Sequence, residues 1–223
     1  AMEGLMPDIW SCNHLMKTFL EWDQMQKAVH MLEKMEHAGI EPDRYSYAHL
    51  MNAFANKGRA DMIRHLMHRM EGRSGLKPDV VSYSILIKAH QLADELDQAL
   101  GILDEMKAKG VKPNRFTYNS LMNACAQCTR GTPHMARNIL GKMLKDGCTA
   151  DIRTYVALIN AYAMKKQPIQ ARDVLDEMAE AGLQPNHIVY SCLLKAYAQA
   201  GAPTEMRALM QQMEGEGFEM DEW

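Results

Sequence analysis

Residues 80–114 read VVSYSILIKAHQLADELDQALGILDEMKAKGVKPN and set the pattern for the chain. Val81 to His90 is apolar with a helical period. Leu96, Leu100, Leu103 and Met106 recur at spacings of four, three and three, which places them down one side of a second helix. Gly110 stands where a helix ends in a left-handed residue, and Pro113 blocks continuation. Asn114 can cap the helix that follows. The pattern predicts a hairpin of two amphipathic helices, neither of which can bury its apolar face alone.

The same punctuation recurs along the chain as GLMPD (4–8), GIEPD (39–43), GLKPD (75–79), GVKPN (110–114), GCTAD (147–151), GLQPN (182–186) and GFEMD (217–221). The intervals between these glycines are 35, 36, 35, 37, 35 and 35 residues. A tyrosine follows most stops (Tyr47, Tyr83, Tyr118, Tyr155, Tyr190), with Cys12 in that slot of the first repeat. A fixed period of this size is the signature of a solenoid of stacked hairpins. Six repeats are expected, at 9–43, 44–79, 80–114, 115–151, 152–186 and 187–221. The fourth carries two extra residues near Arg130–Pro133, in the turn between its helices, and the second carries one near Gly72–Gly75, expected to lengthen the loop to the next repeat. Residues 1–8 match the tail of a preceding repeat, and Glu222-Trp223 match the start of a following one, so a segment of a longer array is expected.

V-x-Y-x-x-L-I opening the first helix, A-x-x-x-L-x-x-M closing the second and G-x-x-P-[DN] after it resemble the P-type pentatricopeptide repeat (PPR) family, over essentially the whole chain. The resemblance implies an all-α, right-handed superhelical solenoid of helix–turn–helix hairpins, with the first helix of each hairpin lining the concave side. It also implies single-stranded RNA as partner, each repeat reading one base. In the family the fifth and last residues of a repeat do the reading. The matching pairs are Asn13 with Asp43, Ala48 with Asp79, Ser84 with Asn114, Asn119 with Asp151, Val156 with Asn186, and Ser191 with Asp221. The family code then implies the footprint 5′-U-N-A-U-N-G-3′, Ala48 and Val156 offering a base no hydrogen bond. The second residues, Trp10, Tyr45, Val81, Phe116, Arg153 and Ile188, are implied to flank the bases; packing between repeats would account for them equally. The last residues also have a purely structural reading as helix N-caps. The four polar fifth residues are the better discriminator, since an exposed groove position is expected to have no folding reason to be Asn or Ser.

Charge complicates that picture. The net charge is −3, with 25 basic and 28 acidic residues, whereas nucleic-acid binders usually carry a basic excess or stripe. The thirteenth residue, often Lys in the family, is here Glu21, Asn56, Leu92, Gln127, Met164 and Gln199. Lys17, Lys88 and Lys195, one turn earlier, are the candidates for phosphate contact, and a modest salt dependence is expected. The alternative is a non-catalytic scaffold subunit of a large organellar assembly such as a ribosome, binding protein or structured RNA.

Twenty methionines include Met35, Met70, Met106, Met143, Met178 and Met213 at one slot of the second helix, where an adaptable core filler suits the join between hairpins. Five cysteines, an odd number, fit a reducing compartment. Cys125-x-x-Cys128 with His134 and Cys148 has zinc-like spacing, but the first two fall in slots that are small or apolar in other repeats, so buried thiols are expected and no metal or other cofactor. His65 and His68 read as surface residues. No apolar run approaches the ~18 residues of a membrane span. No Walker loop, nucleophile elbow or H-E-x-x-H motif occurs, and no enzymatic activity is expected. By resemblance, the location is a mitochondrion or plastid and the role is transcript processing, stability or translation.

Overall fold

Each of the G-x-x-P-[DN] stops is followed by a helix, because Asp or Asn there ties down the helix's first free N–H groups. The computed structural model describes residues 8–218, and within them finds twelve helices and no strand. They are α1 (Ile9–Glu21), α2 (Met25–His37), α3 (Arg44–Asn56), α4 (Ala60–Ser74), α5 (Val80–Leu92), α6 (Leu96–Ala108), α7 (Arg115–Gln127), α8 (Pro133–Lys145), α9 (Ile152–Met164), α10 (Pro168–Glu180), α11 (His187–Ala200) and α12 (Pro203–Gly215). Asp8, Asp43, Asp79, Asn114, Asp151 and Asn186 cap the six odd-numbered helices, each accepting from a backbone N–H in the first turn.

The described residues form two units, which divide between Lys112 and Pro113. In the first, α1, α3 and α5 pack side by side and each packs on its own second helix, while α3 also meets α2 and α5 meets α4. The second repeats the scheme with α7, α9 and α11 against α8, α10 and α12. Met35, Met70, Met106, Met143, Met178 and Met213 are all buried, as the core-filler reading expects. On α6 the buried stripe is Leu96, Ala99, Ile102, Leu103 and Met106; Leu100, placed on that stripe by its spacing, is half-buried beside it.

The stops after the even helices share one geometry. The glycine takes a positive φ, +72° at Gly39 and +70° at Gly110, and the next residue's N–H returns to the carbonyl of the methionine that recurs at one slot: Ile40 to Met35 at 2.9 Å, Val111 to Met106 at 2.8 Å. In the second repeat Leu76 reaches the equivalent Met70 carbonyl across six residues rather than five, at 3.1 Å. The extra residue there was expected in the loop, but α4 absorbs it and runs to 15 residues against 13 for α2, α6, α8, α10 and α12. Nothing in Glu71–Ser74 stops a helix, and Gly75, at φ +61°, still can.

The turns inside the hairpins also pass through the left-handed region, at Asp23, Gly58, Asp94, Lys166 and Gly201. A side chain there costs about 1–2 kcal/mol, partly offset by the freedom that glycine has to lose on folding. Lys166→Gly is therefore expected to stabilise the second unit by about 0.5 kcal/mol, read as a small rise in the denaturation midpoint; a fall would mean that Lys166 does more than occupy its turn. The fourth repeat uses no such turn. Cys128 is extended, and Thr132 caps α8 by accepting from Met135 N at 3.2 Å, with Pro133 as the first helical residue.

Candidate nucleic-acid interface

The second, fifth and ninth residues of an odd helix are three and four apart and fall on one stripe of its surface. All six second residues are exposed: Trp10, Tyr45, Val81, Phe116 and Ile188 as large apolar side chains, 72% and 73% for the first two, and Arg153 as a cation. Packing between hairpins therefore does not account for them. Six large or planar side chains held in water at matching positions are unusual for a folding-only role.

The fifth residues lie deeper. Asn13, Ala48, Val156 and Ser191 are half-buried, Asn119 is 8% exposed and Ser84 3%. The expectation that they have no folding role is corrected by their hydrogen bonds. Asn13 Nδ2 donates to Asp43 Oδ1 at 3.2 Å, and Asn13 Oδ1 accepts from Ser46 Oγ at 2.6 Å. Asn119 repeats this with Asp151 Oδ1 at 3.2 Å and Thr154 Oγ1 at 2.8 Å. Ser46 and Thr154 also close capping boxes with Asp43 and Asp151. Each asparagine thus reaches from its own hairpin to the cap of the next. Ser84 instead donates Oγ–H to Val80 O at 2.7 Å, along its own helix.

Two of the expected pairs are therefore in direct contact, Asn13 with Asp43 and Asn119 with Asp151. Asp79 caps α5 and Asn186 caps α11, the latter accepting from Ile188 N at 3.1 Å and Val189 N at 3.2 Å. Ser84 belongs to the first unit and Asn114 to the second, where Asn114 caps α7. Asp221, the expected partner of Ser191, lies outside the described residues. Burial works to raise the Asp43 carboxyl's pKa, but hydrogen bonds from Ser46 and Asn13 outweigh it and hold the group below its ordinary value. Asp151 behaves alike through Thr154 and Asn119. Both are carboxylates at neutral pH. In the Asn13–Asp43 pair, one amide N–H and the carboxylate Oδ2 are left over among the described residues, a donor beside an acceptor, which suits a flat edge presenting an acceptor beside a donor.

At the ninth position, Lys17, Lys88 and Lys195 are exposed. Lys88 Nζ donates to Asn56 Oδ1 at 2.7 Å, and Lys17 lies 3.7 Å from Glu21. The other three ninth residues, missed in the sequence reading, are Asn52, Asn123 and Asn160, so every repeat has a donor there. The third residues were missed too: Ser11, Ser46, Ser82, Thr117 and Thr154 put a hydroxyl in the first turn of five odd helices, and Asp or Asn followed three residues later by Ser or Thr was the signal.

Cys125 and Cys128 are buried, and burial pushes the Cys125 thiol up to about 11. Among the described residues no group of three or more His, Cys, Asp or Glu is placed to hold a metal ion. His65 and His68 are exposed on α4. No described helix is long and apolar enough to cross a membrane.

Comparison with known proteins adds three findings. The family described as "Pentatricopeptide repeat domain" matches residues 65–127 and 134–200, and two related repeat families match 7–56 and 45–74, 116–148 and 188–218. A chloroplastic pentatricopeptide repeat-containing protein of Arabidopsis thaliana is 27% identical over 157 residues, 70% of this chain and 20% of that protein. The small ribosomal subunit protein mL103 of the same plant is 29% identical over 91 residues, 41% of this chain and 21% of that protein. The chain thus spans about a fifth of the length of these relatives. Among solved structures, the pentatricopeptide repeat protein PPR10 in complex with an 18-nucleotide psaJ RNA element matches 98% of this chain and 30% of its own, at TM-score 0.67 and 24% identity. The PPR domain of Arabidopsis protein-only RNase P 1, in complex with tRNA, matches 77% of this chain and 89% of its own, at TM-score 0.56 and 20% identity. At these identities the likeness is one of fold.

Proposed function

The chain belongs to the pentatricopeptide repeat family, and on that premise we propose that it binds single-stranded RNA sequence-selectively, one base per repeat. The observation that carries this reading is the stripe on each odd helix: an exposed second residue able to lie against a base, over a fifth residue that in two repeats is hydrogen-bonded to a carboxylate. In the Asn13–Asp43 pair the amide N–H and the carboxylate Oδ2 complement a carbonyl and an imino N–H, the edge that uracil presents. Asn119 and Asp151 form the same amide–carboxylate pair, with Arg115 Nε 3.4 Å from Asp151 Oδ2, and the proposed footprint remains 5′-U-N-A-U-N-G-3′. Lys17, Lys88, Lys195 and the asparagines between them supply phosphate contacts, few of them fully charged, so the salt dependence is shallow. The proposed setting is RNA processing, stability or translation in a mitochondrion or plastid, supported by relatives named as chloroplastic or mitochondrial. We assign the chain no catalytic role; the RNase P likeness named above is to that protein's PPR domain.

Deleting Asn119 would disturb the α9 cap as well as the reading, so the test is a change of preference. Asn119→Ser turns an Asn/Asp pair into Ser/Asp, which in the family favours guanine. Electrophoretic shifts with strands differing at that one base are expected to move from favouring U to favouring G, by about tenfold in the ratio of affinities. Loss of fold cannot produce a switch. If neither protein tells the strands from scrambled RNA, the scaffold reading stands instead. That second reading is favoured by the pairing of Lys88 with Asn56 and by the negative net charge, and the ribosomal relative fits it.

A further inference from the structure

The reading carboxylates differ in what faces their outer oxygen. At Asp43, Oδ1 takes Ser46 N at 2.8 Å, Ser46 Oγ at 2.9 Å and Asn13 Nδ2 at 3.2 Å, and no arginine or lysine pairs with the carboxylate among the described residues. At Asp79, Oδ1 takes Val81 N and Ser82 N, both at 3.1 Å, while Oδ2 accepts from Arg44 Nη1 at 3.0 Å. The same Arg44 nitrogen donates to Lys77 O at 2.9 Å, which fixes the guanidinium between the two. At Asp151, Oδ2 lies 3.4 Å from Arg115 Nε. Arg44 and Arg115 are the first residues of the repeats that Asp79 and Asp151 end; the corresponding residue for Asp43 is Ile9. The contact follows from the stacking, since the first turn of one odd helix lies beside the cap of the next.

We propose that Arg44 and Arg115 set how strictly their repeats choose a base, an inference that rests on the RNA reading above. A free carboxylate oxygen rewards a base with an imino N–H, uracil or guanine, and repels the bare ring nitrogen of cytosine or adenine. A guanidinium on that oxygen neutralises the charge, and its remaining N–H groups can serve the bare nitrogen. Repeats 2 and 4 are then permissive where repeat 1 is strict, although repeats 1 and 4 carry the same Asn/Asp pair.

The comparison of repeats 1 and 4 is the test. Affinities are measured for RNA strands with U or C at the base opposite each repeat, using the wild-type chain, Arg115→Ala and Ile9→Arg. The wild type is expected to favour U over C by about tenfold at repeat 1 and about threefold at repeat 4. Arg115→Ala raises the repeat 4 ratio towards that of repeat 1, and Ile9→Arg lowers the repeat 1 ratio. A loss of stability would weaken both strands equally and leave each ratio alone. If Arg115→Ala lowers both affinities at a constant ratio, the arginine is a phosphate contact and the assignment is overturned. If the wild type shows no U-to-C preference at repeat 1, the RNA reading itself falls, and this assignment with it.

Discussion

Gly131→Ala is expected to destabilise the second unit by about 3 kcal/mol, lowering its melting temperature by about 13 °C. The reason is local. A Cβ at Gly131 would stand 2.1 Å from the carbonyl oxygen of Cys125 and 2.7 Å from its carbonyl carbon. Both are backbone atoms in the last turn of α7, so no side chain can swing aside. Relief requires moving the end of α7 or the loop that carries Thr132 to its cap on α8. The loop is also pinned from within, Gly131 N donating to Cys128 O at 2.9 Å. Asn138→Ala, at an exposed position of α8, is the control and should fall within about 0.5 kcal/mol of the wild type. Urea denaturation followed by circular dichroism reads both. A Gly131→Ala chain as stable as the control would mean that the loop re-forms without the close approach.

Glu36→Gln is the second large effect, expected at about 3 kcal/mol in the first unit. Glu36, on α2, is met by two arginines from α4: Arg69 through a two-pronged contact at 3.0 and 2.9 Å, and Arg73 at 2.7 Å. Glu36 and Arg69 are 12% and 13% exposed, so removing the carboxylate strands a guanidinium that water hardly reaches. Arg73, largely exposed, contributes little. The effect must depend on pH. Burial works to raise the Glu36 pKa, but the hydrogen bonds from Arg69 and Arg73 outweigh it, and the net shift is downward. A carboxyl whose pKa is lower folded than unfolded stabilises above its unfolded value of ~4.3, and loses that contribution as pH falls through the folded value. The gap between wild type and Glu36→Gln should therefore be constant from about pH 6 to 7 and shrink below about pH 4. A gap that does not change with acidification would assign the loss to shape rather than charge.

Much of the fold was legible because its signals are local. Asp or Asn before each odd helix, glycine after each even one and the methionine slot are each decided within one turn of chain, and the structure places them as read. The misplaced residue near Gly72 marks where local reading fails: sequence punctuation locates Gly75 as a stop but does not say whether the residue before it joins the helix. For the candidate interface the sequence offered positions, but not the contacts those positions make. Asn119 and Asp151 stand 32 residues apart, and their hydrogen bond exists only once α7 and α9 lie side by side. Nothing near Asn119 announces that Thr154 will claim its carbonyl. The arginine on Asp79 is equally hidden, because Arg44 reads as an ordinary surface residue at the start of α3.

The amide that bridges one hairpin to the cap of its neighbour has a consequence for recoding. A letter of the proposed code is also a joint of the scaffold, so substituting Asn13 or Asn119 withdraws a partner from a fully enclosed hydroxyl on the adjoining repeat. Rewriting such a position calls for a paired edit, the amide together with Ser46 or Thr154. Repeats whose fifth residue makes no such bridge, as at Ala48 and Val156, are the natural places to install new letters one at a time.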